Sequence, residues 1–165
     1  MQSDSKIYRF PFIRPVVPPV AKWAHYLEPA YRTKWFSNFG PVAHQFETEL
    51  GKGLCHPDEV ITTANNCTSG IAASLVARNV FGTVLVAAFT FSATASAVIM
   101  ARAEPCVLDV DCDTWCLPAS LLEKTLDSEK CGAVVLVSPF GLRQNFARLW
   151  GALSISAFLY RHDGI

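Results

Sequence analysis

The sequence predicts an α/β fold: a mostly parallel sheet with helices on both faces, in three layers. Two observations carry this. The stretches Val84–Ala88, Pro105–Val110 and Gly132–Val137 are near-continuous apolar runs of strand length, the pattern of strands buried on both faces rather than one. Between them lie helical patterns, small residues over Ala93–Arg102 and a leucine face of Leu121, Leu122 and Leu126 over Ala119–Leu126. Strands that alternate with helices in this way need covered crossovers, and so pair in parallel.

Taken in order, the chain opens with an arm over residues 1–20. Pro11, Pro15, Pro18 and Pro19 forbid helix there and favour an extended strap. A helix is expected over Ala21–Tyr31, with Trp23, Tyr26 and Leu27 on one face. Gly40-Pro41 signals a turn, and Pro41 suits the first turn of a helix over Val42–Leu54. Val42, Phe46 and Leu50 form an apolar stripe along it, and Gly51 and Gly53 fray its end. Glu59–Thr63 reads as a short strand that ends at Ala64-Asn65-Asn66. The next helix starts near Thr68 and reaches about Val80, with Ile71, Leu75 and Val76 facing inward.

The centre of the pattern is a βαβ unit over Thr83–Trp115. Its first strand ends at Phe89-Thr90-Phe91, and in open α/β sheets ligands collect at the carboxyl ends of strands. Those residues therefore either border a site or pack in the core. After Leu117-Pro118 come the leucine-faced helix and the Gly132–Val137 strand, which ends at Ser138-Pro139-Phe140-Gly141.

The junction Asn65-Asn66-Cys67-Thr68-Ser69-Gly70 joins a strand to a helix through a polar turn. The first N–H groups of a helix lack internal partners and carry the positive end of its dipole, so a phosphate fits there without a lysine. Thr68 can add a hydroxyl. The competing reading is ordinary N-capping by Asn66 or Thr68.

Composition narrows the function classes. A chain of 165 residues makes about one domain. With 51% hydrophobic and 17% charged residues it has ample core material, and with zero net charge and no basic block it is not suited to nucleic acid or an anionic membrane. Its apolar runs break well short of the roughly 18 residues of a membrane span. The start, MQSDSKIYRFPFIRP, has no apolar signal core, which points to the cytoplasm. Of six cysteines, Cys106, Cys112, Cys116 and Cys131 lie in or beside the buried strands. No CxxC pair occurs, and Cys112 and Cys116 have no second pair or histidine nearby, so packed thiols are expected rather than disulfides or a metal site. An ordinary nucleotide-binding domain would show a GxGxxG or GxxxxGK[ST] fingerprint, and neither occurs.

Several stretches carry a resemblance. Ala88-Phe89-Thr90-Phe91-Ser92-Ala93-Thr94, Pro105, and Asp109-Val110-Asp111-Cys112-Asp113-Thr114-Trp115 resemble the DegT/DnrJ/StrS-type nucleotide-sugar aminotransferases. So do Trp35-Phe36-Ser37-Asn38-Phe39-Gly40-Pro41 with Phe46-Glu47, and Asn65–Gly70. These are pyridoxal 5'-phosphate (PLP) enzymes of the aspartate-aminotransferase fold, PLP fold type I. The motifs run in family order from about Arg14 to Gly141. The resemblance implies that residues 21–141 are the N-terminal part of the large PLP-binding domain. It implies a phosphate site at Cys67-Thr68, where the family reads Gly-Thr, and a ring-stacking Phe91. It places Ser37 and Asn38 near substrate, near the active-site mouth and the subunit boundary; their competing role is to cap a turn. Complete relatives transfer an amino group, commonly from glutamate, to a nucleotide-linked keto-sugar, and are homodimers.

Beyond Gly141 the resemblance stops. The family continues with a helix and then a strand ending in an aspartate that pairs with the pyridine nitrogen and makes the ring an electron sink. Further on comes the Schiff-base lysine. Here the chain reads GLRQNFARLWGALSISAFLYRHDGI. Asp163 follows Tyr160-Arg161-His162 rather than an apolar strand, His162 reads as a solvated tail residue, and no lysine follows Lys130. Lys6, Lys22, Lys34, Lys52, Lys124 and Lys130 match no catalytic position. The expectation is a divergent or truncated tail over 142–165, no catalytic residue in hand, and no transamination by the chain alone. The alternative is a non-catalytic remnant or interaction module that docks on a full-length partner subunit.

Overall fold

The computed structural model describes residues 16–56, 59–128, 131–142 and 157–160. The chain divides into two compact units, residues 1–63 (with Ile165) and 64–164. In the second unit, helix α4 (Cys67–Ala77) leads to strand β1 (Thr83–Ala87), then α5 (Ala93–Met100), β2 (Glu104–Leu108), α6 (Ala119–Ser128), β3 (Cys131–Val137) and β4 (Ala157–Tyr160). The strands form one parallel sheet in the order β2-β1-β3-β4.

The apolar runs bury as their composition requires. Alternate residues point to opposite faces of a strand. Val84 and Val86 with Ala133 and Val135 therefore join Leu75 of α4 and Val98 of α5 in one core. Leu85, Val134 and Leu136 join Leu117 and Leu122 of α6 in the other. That is the three-layer α/β arrangement the sequence predicts.

The register holds one irregularity. Thr83 pairs with Cys131 but Val84 pairs with Ala133, so Gly132 is the extra residue of a β-bulge. A Cβ on Gly132 would stand 2.6 Å from the Phe81 carbonyl oxygen and 3.0 Å from Val80 Cγ1. Glycine is needed there for close approach.

Several expectations are corrected in this unit. Among the described strands β2 lies at an edge of the sheet rather than fully buried, and Val107 is exposed. On α4 the inward residues are Leu75 and Ala72 with Ile71 packed against them; Val76 is exposed. None of the six cysteines forms a disulfide, but Cys112 is exposed rather than packed. The stretch before Asp163 does contain a parallel strand, Ala157–Tyr160, beside β3. Lys130, Asp163, His162 and residues 143–156 lie outside the described residues.

The first unit holds α1 (Val20–Trp23), a 3-10 turn (Ala24–Leu27), α2 (Glu28–Thr33) and α3 (Pro41–Leu54). The single helix expected over Ala21–Tyr31 is broken, and Pro29 is the cause. A proline has no N–H and clashes with the preceding turn, so it sits in the first turn of a new helix, here α2. Residues 1–15 of the expected arm lie outside the described residues; the Pro18 carbonyl accepts from the Trp23 indole at 3.2 Å. The α3 helix is as expected, but Phe46 on its apolar stripe is exposed. Glu59–Thr63 is not a strand. The Glu47 carboxylate takes both the backbone N–H and the hydroxyl of Thr63, each at 2.7 Å, in place of a strand partner.

Two outcomes follow. Gly132→Ala is expected to destabilise the chain by about 1–3 kcal/mol through overpacking, read from denaturant unfolding; an unchanged midpoint would mean the β1–β3 ladder adjusts freely. Tyr26, Tyr31, Phe36, Phe39 and Phe46 are all exposed, so the isolated chain is expected to bind a hydrophobic dye and to associate in light scattering. A monodisperse monomer with a cooperative melt and no dye signal would contradict this.

Candidate functional site

The site is built from the carboxyl edge of the parallel sheet and the start of α4. Asn66, in extended conformation, caps α4: its Oδ1 accepts from the Ser69 N–H at 2.9 Å and from the Ser69 hydroxyl at 3.0 Å. The capping reading of Asn66 is therefore correct, yet the cap occupies only one helix-end donor. Gly70 N–H donates to the Asn66 carbonyl. The N–H groups of Cys67 and Thr68, and the Thr68 hydroxyl, have no partner among the described residues. Cys67 lies in the helix with negative φ, so the turn accepts a Cβ there. The arrangement offers unused donors at the positive end of a dipole to an anion.

At the end of β1, Thr90 and the buried Thr94 share a 2.8 Å hydroxyl contact that ties the turn to α5. Phe91 is 69% exposed, and no ring among the described residues pairs with it. A different aromatic group forms instead. Phe89, Trp115 and Phe140, following β1, β2 and β3, bring ring centroids within 5.3, 6.0 and 6.2 Å of one another. Trp115 and Phe140 both have left-handed backbone, φ 57° and 53°. That conformation is costly for a bulky residue and needs support.

For Trp115 the support is the Asp111 turn. Asp111 Oδ1 accepts from the N–H of Thr114 at 2.8 Å, its hydroxyl at 2.9 Å, and the N–H of Asp113 at 3.2 Å. Those donors, the Thr114 N–H first, hold the Asp111 carboxyl below its ordinary range.

Ser37 and Asn38 belong to the first unit, in an exposed turn between α2 and α3. Neither side chain caps a helix or makes a hydrogen bond among the described residues; Gly40 is the N-cap of α3. Glu47, held below its usual carboxylate range by the Thr63 N–H and hydroxyl, borders a groove of about 470 Å³ lined also by His44, Lys52, Cys55, His56 and Glu59. No group of three or more His, Cys, Asp or Glu among the described residues is placed to hold a metal ion.

The predicted site residues thus fall into two sets: Cys67, Thr68 and Phe91 in the second unit, Ser37 and Asn38 in the first. Sequence reasoning missed Trp115 and Phe140 as partners of Phe89. The only local signal was that each follows a predicted strand. It also missed the groove beside Glu47, which no motif announced.

The DegT/DnrJ/EryC1/StrS aminotransferase family model matches residues 21–151. A dTDP-4-amino-4,6-dideoxy-D-glucose transaminase of Escherichia coli is 27% identical over 129 residues, 77% of this chain and 33% of the relative. Among solved structures, a DegT DnrJ EryC1 StrS aminotransferase from Brucella abortus superposes with a TM-score of 0.68 at 27% identity, covering 86% of this chain and 41% of the other. NtdA from Bacillus subtilis, with its bound cofactor PMP, superposes at a TM-score of 0.74 and 20% identity, over 85% and 32%. The fold is that of the PLP fold type I aminotransferases. The chain spans about a third of the length of the curated relatives it matches.

A pH dependence follows from Asp111. A carboxyl whose folded pKa is depressed stabilises the fold above its unfolded pKa of about 3.9, and that contribution is lost as pH falls through the folded value. Asp111→Asn is therefore expected to lower the melting temperature at neutral pH, and the gap to wild type should narrow in acid. A gap that stays constant across the acid range would remove the carboxylate from this role.

Proposed function

The chain belongs to the DegT/DnrJ/EryC1/StrS aminotransferase family, and from that membership we propose that it supplies the phosphate- and ring-holding part of a PLP-dependent sugar aminotransferase. The observation that carries this is the start of α4. Two uncommitted N–H donors, of Cys67 and Thr68, stand there with the Thr68 hydroxyl, in the turn we read as the counterpart of the family's phosphate turn. Residues 21–141 are read as the N-terminal part of the large domain, 1–20 as an arm, and 142–165 as a divergent tail.

In this reading the Cys67 and Thr68 N–H groups and the Thr68 hydroxyl bind the cofactor phosphate, without a cation from the side chains. Phe91, exposed and engaged by no other ring among the described residues, covers one face of the pyridine ring. Ser37 and Asn38, whose side chains are uncommitted among the described residues, contact substrate. PLP, when bound, supplies the electron sink that amino transfer requires. The whole protein would act on a nucleotide-linked keto-sugar with an amino donor such as glutamate, as a homodimer in the cytoplasm. Lys6, Lys22, Lys34, Lys52, Lys124 and Lys130 are read as residues of arm, helix surface or loop rather than as the family's cofactor anchor.

Titration of the chain with PLP tests this. Weak, reversible binding is expected, and Thr68→Ala should weaken it by about 1 kcal/mol, the usual worth of a hydrogen bond. Phe91→Ala should weaken it as well. If neither variant changes binding, both residues return to packing roles. Borohydride reduction is expected to fix no cofactor at a single lysine; stoichiometric labelling of one defined lysine would refute that part.

A further inference from the structure

Residues 60–65 lead into the Asn66 cap without regular structure. Among the described residues, the only hydrogen bonds they make run from Thr63 to Glu47. The Thr63 N–H and hydroxyl both meet Glu47 Oε1, each at 2.7 Å, and bonds this short to a carboxylate are strong ones. Yet Thr63 is exposed. Water can satisfy its donors at little cost, so what the carboxylate adds is a fixed position rather than relief of an unmet group. The anchor is itself fixed, because Glu47 sits midway along α3, a helix of 14 residues.

The chain after Thr63 has little slack. A Cβ on Gly70, in the first turn of α4, would stand 3.6 Å from the Ala64 Cβ, an ordinary van der Waals contact, so Ala64 lies against that turn. Inside the bend that Ala64 and Gly70 close, the Gly70 N–H donates to the Asn66 carbonyl and Asn66 Oδ1 takes the Ser69 N–H. Cys67 and Thr68, with their open donors, lie in the same bend. A displacement of Thr63 is therefore passed through one peptide bond to Ala64 and on to those donors. Donors hold an anion well only when they converge, and their convergence depends on the contacts that support them.

We propose that Glu47 is a positioning residue for phosphate binding: by holding Thr63 it sets the path of the chain into the Asn66-Cys67-Thr68 turn, and with it the aim of the Cys67 and Thr68 donors. This rests on the phosphate reading of that turn given above and adds to it a residue that touches no ligand.

The test titrates the intact chain with PLP and with inorganic phosphate, as wild type, Glu47→Ala, Glu47→Gln and Thr63→Val. Melting temperature and amide hydrogen exchange are measured without ligand. Glu47→Ala is expected to weaken both ligands by the same factor, roughly three- to tenfold, because the turn holds the phosphate they share. Removing a negative charge would by itself favour an anion, so a weaker affinity isolates the positional effect. Glu47→Gln keeps an acceptor oxygen and should bind close to wild type, while Thr63→Val, which keeps only the N–H, should fall between wild type and Glu47→Ala. Exchange in Glu47→Ala should quicken over residues 60–69 and stay unchanged in β1 and β3. Unchanged affinities in Glu47→Ala overturn this inference and leave the phosphate reading standing. So does a Glu47→Gln variant as weak as Glu47→Ala, or a loss of PLP affinity with phosphate affinity retained. A lowered melting temperature with faster exchange throughout the chain shows a structural hydrogen bond and likewise overturns it. If Glu47→Ala fails to fold, Thr63→Val decides by the same criteria. No binding of either ligand by wild type overturns the proposed function, and this inference with it.

Discussion

The parallel pairing of β1 with β3 is the constraint on which the second unit depends. Each strand buries residues on both faces of the sheet, Val84, Val86, Ala133 and Val135 on one and Leu85, Val134 and Leu136 on the other. Such a pair is stable only when helices cover both faces. Hence α4 and α5 contribute Leu75 and Val98 to one core, and α6 contributes Leu122 to the other. A slip of one residue would exchange the two faces, so the register is strongly specified. The Gly132 bulge is the one place where it shifts, and there the backbone passes too close to Phe81 for any side chain.

That pairing also brings the loops after β1, β2 and β3 to one edge, where smaller forces take over. Burying a leucine is worth roughly 1.5–3 kcal/mol, while a net hydrogen bond is worth about one. The core therefore decides where the loops are, and local polar contacts decide how they are presented. Asn66 closes the turn before α4, Thr94 holds Thr90, and Asp111 gathers three donors to set Trp115 in its left-handed conformation. The donors left open at the start of α4 are two backbone N–H groups and one hydroxyl. Donors of this kind need no basic patch beside them, so they are compatible with a chain of zero net charge.

Much of this was legible from residue order. The strands β1 and β3 and the helices α3, α4, α5 and α6 lie within a few residues of where periodicity and turn chemistry set them. The helix start at Asn66-Cys67-Thr68, with its open donors, was legible because helix-end chemistry is a local property. Errors came where a local pattern met a competing partner. The apolar spacing of Trp23, Tyr26 and Leu27 suggested one helix, but Pro29 interrupts it. Glu59–Thr63 has strand-forming residues, yet its Thr63 donors go to Glu47, a carboxylate sixteen positions earlier. No local rule shows that competition.

What the sequence by itself determined is the alternation of strands and helices, the parallel class of the sheet and the family's motifs in order. All of these are written in spacings of a few residues, and hydrophobic period and helix-end chemistry act at that range. Only the tertiary structure decided that β2 takes an edge and leaves Val107 exposed. It alone brought Phe89, Trp115 and Phe140 together from three separate loops. The reason is physical. Strand order and the meeting of side chains from distant loops are set by how whole strands pack against one another, and a single residue's neighbours in sequence carry no record of that packing.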